Sequence, residues 1–411
     1  MLPRLFYSKC RRAIWLSCLL CGCFISANAQ YFSLDSNRKR MVIPFRFIRN
    51  LVIIKLNINN TGPFNFILDT GVGQMLITEP SLVDSINLAS KRTVIITGFG
   101  EGEDQEAYIT TPLTIGIKGM KSHYVSAAIL KKDIFGLSAY AGMRIHGLLG
   151  YEFFSRLVVK INFSDSLITV YRPGKIKGFK KGSKIPLTIE GNRAYIQTVI
   201  TCNDGTKKLS KLIIDIGAGH AVSLENITDK NIFSKTLIKG NLGVGLKGLI
   251  SGYIGRIEEI DIGKYKLNNV VTSFPEDNFT KSLNVARDGN LGMEVLKKFM
   301  VILDYTDSVM YLKSSAGYNA PFEHDMSGLE YYATGNNFSH VIIDRVEPGS
   351  AGEEAGLQKD DEIMAINFRP VASMSLEQID EIFRSRNNRT ILLDIYHDQK
   401  YTMVITLKRR I

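Results

Sequence analysis

Two short runs could carry chemistry: Phe66-Ile67-Leu68-Asp69-Thr70-Gly71 and Leu212-Ile213-Ile214-Asp215-Ile216-Gly217. In each, an aspartate ends an apolar, strand-like run and is followed by Xaa-Gly. Burying a carboxylate there is costly unless it has a partner or a task. One such run reads equally as a strand ending in a turn, because Asp and Gly favour turns. The recurrence changes the weighing. Two carboxylates brought together cannot both ionise; they share a proton and titrate as a pair. One then serves as general base on a water while the other donates to a carbonyl oxygen. The expected chemistry is amide hydrolysis by Asp69 and Asp215, with no metal, no cofactor and no covalent intermediate.

The elements that must position this pair also repeat. Gly147-Leu148-Leu149-Gly150-Tyr151-Glu152-Phe153-Phe154 aligns with Gly289-Asn290-Leu291-Gly292-Met293-Glu294-Val295-Leu296. The match continues without a gap through Val158 to Ser166 against Met300 to Ser308. Each copy reads as Leu-Gly, a short helix, a strand, an Asp-Ser turn and another strand. From Met41 to Leu312 short apolar or alternating runs broken by Gly, Asn and Asp predict many strands and little helix. Two homologous lobes related by a pseudo-twofold axis would bring equivalent points together at that axis. Asp69 and Asp215 would then face one another, with Gly71 and Gly217 in the tight turns that aim N–H groups at them.

These motifs resemble those of the pepsin and retropepsin superfamily, particularly single-chain bacterial retropepsin-like aspartyl proteases. The resemblance covers residues 31–312 and rests on Ile67-Leu68-Asp69-Thr70-Gly71-Val72-Gly73, Ile213-Ile214-Asp215-Ile216-Gly217-Ala218-Gly219, Leu149-Gly150 and Leu291-Gly292. It implies a mainly β, bilobal body, an aspartate dyad supported by Thr70, and hairpin flaps closing over a peptide. Flap candidates are Gly98, Phe99 and Gly100 in one lobe, Gly243 and Gly245 in the other. The chain departs from the family pattern at Ile216, where a second Thr or Ser hydroxyl is usual. That leaves two readings open: an active endopeptidase, or a catalytically weak or inactive protein that binds peptides.

Beyond residues 314–324, a Ser-, Gly- and Pro-containing stretch read as a linker, the pattern changes. Val341-Ile342-Ile343 and Ile363-Met364-Ala365-Ile366 predict strands, and Ser375 to Arg384 predicts a capped helix with Leu376, Ile379, Ile382 and Phe383 on one side. Gly328-Leu329-Glu330-Tyr331 and the stretch from Val346 to Ile363 resemble a PDZ domain, implying a C-terminal α+β unit that binds C-terminal peptide tails. By that resemblance Gly328, Leu329, Glu330 and Tyr331 form the carboxylate-binding loop, with Ile379 and Phe383 lining its pocket. Glu330 departs from the usual glycine. Both helix residues read equally as plain core. The expected organisation is a leader at 1–29, lobes at 30–175 and 176–313, the linker, and the PDZ-like unit at 325–411.

The 411-residue chain is 45% hydrophobic, which suits several packed domains and excludes disorder. Arg4, Lys9, Arg11 and Arg12 precede an apolar run ending at Ala27-Asn28-Ala29, the pattern of a cleaved signal peptide. Export to the periplasm, cell envelope or exterior of a bacterium follows; a membrane-spanning helix and lipidation at Cys23 are the alternatives, and membrane association enters only with the latter. Four of the five cysteines lie in this leader, leaving Cys202, in a polar turn, without a disulfide partner. The net charge of +11 is scattered and gives no nucleic-acid footprint. Gly243-Val244-Gly245-Leu246-Lys247-Gly248 matches a dinucleotide-loop pattern but lacks the βαβ setting. The six histidines show no metal-ligand spacing. Both lobes in one chain imply a monomeric catalytic body acting on proteins or peptides.

Overall fold

The computed structural model of the chain describes residues 31–411 apart from 36, 87, 89, 99, 175, 226–232, 235 and 277–284. The expected leader with Cys23, and Phe99 of the first glycine-rich loop, lie outside the described residues. Strands dominate, and the longest described helix, Leu376–Phe383, has eight residues. Among the described residues no helix is long and apolar enough to cross a membrane.

The two copies of the repeat meet in one six-stranded sheet. Its order is Ser183–Pro186, Val309–Ser314, Phe299–Asp304, Val158–Asn162, Leu167–Tyr171, Arg40–Pro44. The middle pair, Val158–Asn162 and Phe299–Asp304, is contributed by equivalent positions of the two copies. They run antiparallel with Val158 opposite Asp304 and Ile161 opposite Val301, a symmetric register about a local twofold. The sheet thus ties the copies together at the place where the pseudo-axis must pass.

Above it stand an 11-stranded sheet from residues 31–149 and an eight-stranded sheet from residues 188–291. Within each, the strand ending in aspartate runs parallel to the Leu-Gly strand of its own copy. Thr61–Leu68 pairs with Gly147–Leu149, and Lys207–Ile214 pairs with Gly289–Leu291. The last residues of the two aspartate-bearing strands, Phe66–Leu68 and Leu212–Ile214, are continuous buried apolar runs because both faces are covered there. One apolar cluster runs from Phe32 to Phe322 through both copies, including Phe66, Phe153, Phe154, Phe274 and Phe299, and a smaller one around Ile53, Ile67 and Leu148 lies within the first copy. Phe322 of the expected linker is buried in the larger cluster, and the ring of Tyr318 packs 5.5 Å from Phe299.

Residues 326–407 form their own core around Leu329, Ile343, Ile363, Phe383 and Ile395. A six-stranded antiparallel sheet holds the helix Leu376–Phe383, which starts as expected at Ser375 with a reciprocal capping box to Gln378. The polar turn holding Cys202 is present, closed by Cys202 N–H to Thr206 C=O at 2.8 Å, and its side chain is buried in the body core. Thiol and methyl-like packing suit each other there.

Candidate active site

Each aspartate leaves its strand in the same way. Asp69 N–H donates to Leu149 C=O and Asp215 N–H donates to Leu291 C=O, both at 3.0 Å. The chain then turns sharply, and the glycine two residues on returns its N–H to the carboxylate: Gly71 to Asp69 Oδ1 at 2.7 Å, Gly217 to Asp215 Oδ1 at 3.0 Å. The glycines have a second reason. A Cβ on Gly71 would lie 2.6 Å from Asp215 Oδ2, and one on Gly217 would lie 2.2 Å from Asp69 Cγ. Each carboxyl therefore rests against the other copy's glycine backbone, a contact any side chain would push apart.

The two carboxyls are close enough to share a hydrogen bond. Burial, then the charge of Asp215, push the Asp69 carboxyl well above its usual range, against the Gly71 N–H and Arg193. Asp215 by contrast accepts a second donor, Asn290 Nδ2 at 2.7 Å, a charge-assisted bond stronger than a neutral one.

Beneath the pair the support is one-sided. Thr70 Oγ1 donates to Ile214 C=O at 2.7 Å and accepts Ile216 N–H at 3.0 Å, so one hydroxyl makes both bonds across the copies. The opposite position, Ile216, contributes apolar packing and is fully buried.

Four further residues, Asn290, His220, Arg193 and Tyr305, converge here without a sequence motif. Asn290 occupies the place where the first copy has Leu148; a polar side chain at an apolar position of the repeat was the signal. Asn290 also interacts with the buried His220 side chain, whose pKa burial lowers, opposed by Asp215 and Asn290. Arg193, on the strand Arg193–Thr201, donates from Nε to Gly71 C=O at 2.6 Å and fixes the first turn from the other lobe. The Tyr305 hydroxyl is buried without a partner and feels both aspartates, which with burial raise its pKa.

Both glycine-rich segments are hairpin ends. Residues 97–104 join Lys91–Ile96 to Gln105–Thr110, and residues 246–247 join Ile238–Gly245 to Gly248–Ile262. The two ends touch. Glu101 N–H donates to Leu249 C=O at 3.0 Å, Gly102 N–H donates to Lys247 C=O, and Lys247 pairs with Asp104 at 2.9 Å. Gly98 and Gly100 are the close-approach points: a Cβ on them would meet Leu246 at 2.9 Å and Lys247 backbone at 2.6 Å. Gly243 has φ +125°, while Gly245 lies in the strand beside Gly248. Leu246 enters the same apolar cluster as Val72, the residue after Gly71.

In the C-terminal unit, Leu329, Tyr331, Ile379 and Phe383 are buried together, with the Tyr331 and Phe383 rings 5.8 Å apart. Gly328 has φ +72°, and its N–H and that of Ser327 donate to Asp325 Oδ1 at 2.6 and 2.9 Å. The Leu329 N–H goes to Ser327 Oγ at 3.1 Å. Burial raises Asp325 to about 6. Glu330 accepts Asn241 Nδ2 of the second hairpin at 2.9 Å. Among the described residues no group of three or more His, Cys, Asp or Glu side chains is placed to hold a metal ion.

Residues 54–153 match an aspartyl protease family and residues 342–396 match the PDZ domain. Among solved structures, the aspartic proteinase from Irpex lacteus is similar over 68% of this chain and 99% of its own, at 12% identity and a TM-score of 0.44. No curated protein matches the chain. The chain accordingly contains an aspartyl protease domain followed by a PDZ domain.

Proposed function

We propose that this chain, an aspartyl protease domain joined to a PDZ domain, is an exported aspartic endopeptidase that cleaves peptide bonds with Asp69 and Asp215. The observation that carries the reading is the reciprocal seating of two buried carboxyls, each against the glycine of the other lobe. Asp215, with two hydrogen-bond donors, acts as base on a water. Asp69, holding the proton, donates to the substrate carbonyl oxygen, and the roles reverse as the amine leaves. The touching hairpin ends are the gate through which an extended peptide must pass. The rival reading, a peptide-binding protein without cleavage, draws on Ile216. Against it stands Thr70, whose single hydroxyl supplies both cross-lobe bonds.

The test is cleavage of a diverse peptide library by protein beginning at Gln30, from about pH 3 to pH 8, beside Asp69→Asn and Asp215→Asn; a coupled pair gives a profile with an acid and a basic limb. Activity lost in both variants supports the reading. Folded wild-type protein with no cleavage at any pH overturns it in favour of the binding protein. Export is checked separately, by the N-terminal residue of the protein recovered from the cell envelope.

A further inference from the structure

The PDZ domain of this chain already holds something in its peptide groove. A PDZ groove lies between an edge strand and a helix, where an extended peptide adds to the strand's free backbone groups. Here those walls are Leu329–Thr334 and Leu376–Phe383. Between them sits the turn Arg49-Asn50 of the protease domain, joining Arg46–Ile48 to Leu51–Ile58.

Arg49 makes the polar contacts of the groove, while the helix Leu137–Ala141 packs beside it on the same edge strand. Its N–H donates to Glu377 and its Nη1 donates to Tyr331 C=O at 3.3 Å, an acceptor on the groove's edge strand. Nε and Nη2 grip Asp380 in a two-point pair at 2.9 and 3.1 Å, and Asp380 also accepts the Tyr331 hydroxyl. The guanidinium lies 4.3 Å from the ring centre of Tyr140 and 5.0 Å from that of Tyr331. Asp380 is buried on a helix face otherwise formed by Leu376 and Phe383. A carboxylate there is strongly unfavourable without a cation, and only a planar fork satisfies both oxygens and stacks on two rings.

The turn itself is built against local preference. Arg49 and Asn50 have φ +46° and +65°, the left-handed pair that a two-residue hairpin requires and that Asn-Gly adopts most readily. An arginine at the first position is strained, and such strain persists where surrounding contacts over-determine it. Asn50 extends those contacts into the active site: its Nδ2 donates to Gly219 C=O at 3.0 Å and Glu294 Oε1 at 2.7 Å, and Lys297 donates to its Oδ1 at 3.0 Å. Gly219 closes the Asp215 motif.

We propose that the groove of this PDZ domain is an arginine-specific site whose resident ligand is the chain's own Arg49 turn, so that groove occupancy and the Asp215 loop are linked through Asn50. The proposal does not depend on cleavage, and its test reads binding. A disulfide-closed peptide carrying residues 44–55 is titrated, by fluorescence anisotropy, into the full chain and into Arg49→Ala. The variant's arginine site is vacated and binds the peptide at least 10-fold more tightly than wild type, and the peptide with Ala in place of Arg49 does not bind. Hydrogen exchange in the unliganded variant rises at least 10-fold in 329–334, 376–383 and 218–221 and is unchanged in 158–162. If Arg49→Ala does not fold, Arg49→Lys, which keeps the charge and loses the fork, takes its place with the same expected direction. Equal binding to both chains, no binding to either, or unchanged exchange in the groove elements overturns the proposal.

Discussion

Replacing Thr70 by valine isolates the one hydroxyl that spans the two lobes beneath the aspartates. Valine has nearly the same shape, so no cavity opens at this buried position, and the loss is confined to hydrogen bonds. Two bonds disappear, Thr70 Oγ1 to Ile214 C=O at 2.7 Å and Ile216 N–H to Thr70 Oγ1 at 3.0 Å. Both backbone groups are then left in an apolar surround formed partly by Ile216 itself. Stranding a buried polar group costs about 1–3 kcal/mol, so the pair is expected to lower stability by about 2–5 kcal/mol. Urea unfolding followed by circular dichroism reads this, since the sole tryptophan, Trp15, lies outside the described residues. The control is Ile216→Val, which trims one methylene and touches no hydrogen bond, at about 0.5–1.5 kcal/mol. A Thr70→Val protein within about 1 kcal/mol of wild type, or a control that loses as much, would refute the claim that this hydroxyl carries the cross-lobe support.

Asn290→Leu, which makes the second copy like the first at Leu148, removes the Nδ2 donor from Asp215. Its carboxylate then loses a charge-assisted bond worth about 1.5–3 kcal/mol, so kcat/KM on a cleaved peptide is expected to fall by roughly 10-fold or more; an unchanged kcat/KM refutes the assignment. Glu152 has one oxygen on Met75 N–H at 2.9 Å and the other buried without a partner, and burial pushes it up to about 7 from an ordinary 4.5. A raised folded pKa means this group's stabilisation is intact below about pH 4.5 and is lost as pH rises through 7, a change of about 3 kcal/mol. Glu152→Gln keeps the Met75 acceptor, so its melting temperature exceeds that of wild type at pH 8 and equals it at pH 4; equal melting temperatures at both would refute the burial argument.

The repeat made the bilobal plan legible because identical patterns at equivalent spacing demand equivalent structures. Phe66–Gly71 and Leu212–Gly217 end their strands with the same backbone bonds to Leu149 and Leu291, and the apolar runs mark the ends of both strands as covered on two faces. The glycine-rich hairpin ends and the Ser375 helix cap were legible for the same kind of reason, since both depend on local backbone chemistry. The partners of the aspartates were less so. Asn290 was visible only as a mismatch within the repeat, and Arg193 and Tyr305 carried no local mark, because their roles arise from side chains approaching across the lobes. The burial of the Cys202 side chain was not legible, because a polar turn says nothing about which way one side chain inside it points.

By itself, then, the order of residues determined the strand-rich body, the duplicated Asp-Xaa-Gly turns and the capped helix, all consequences of short-range periodicity and turn chemistry. Tertiary structure alone decided that each aspartate rests against the other lobe's glycine, that Thr70 makes both cross-lobe bonds while Ile216 only packs, and that Arg49 enters a groove more than three hundred residues away in sequence. Those contacts join segments whose separation no local pattern encodes, and their energies depend on burial that exists only once both partners are in place.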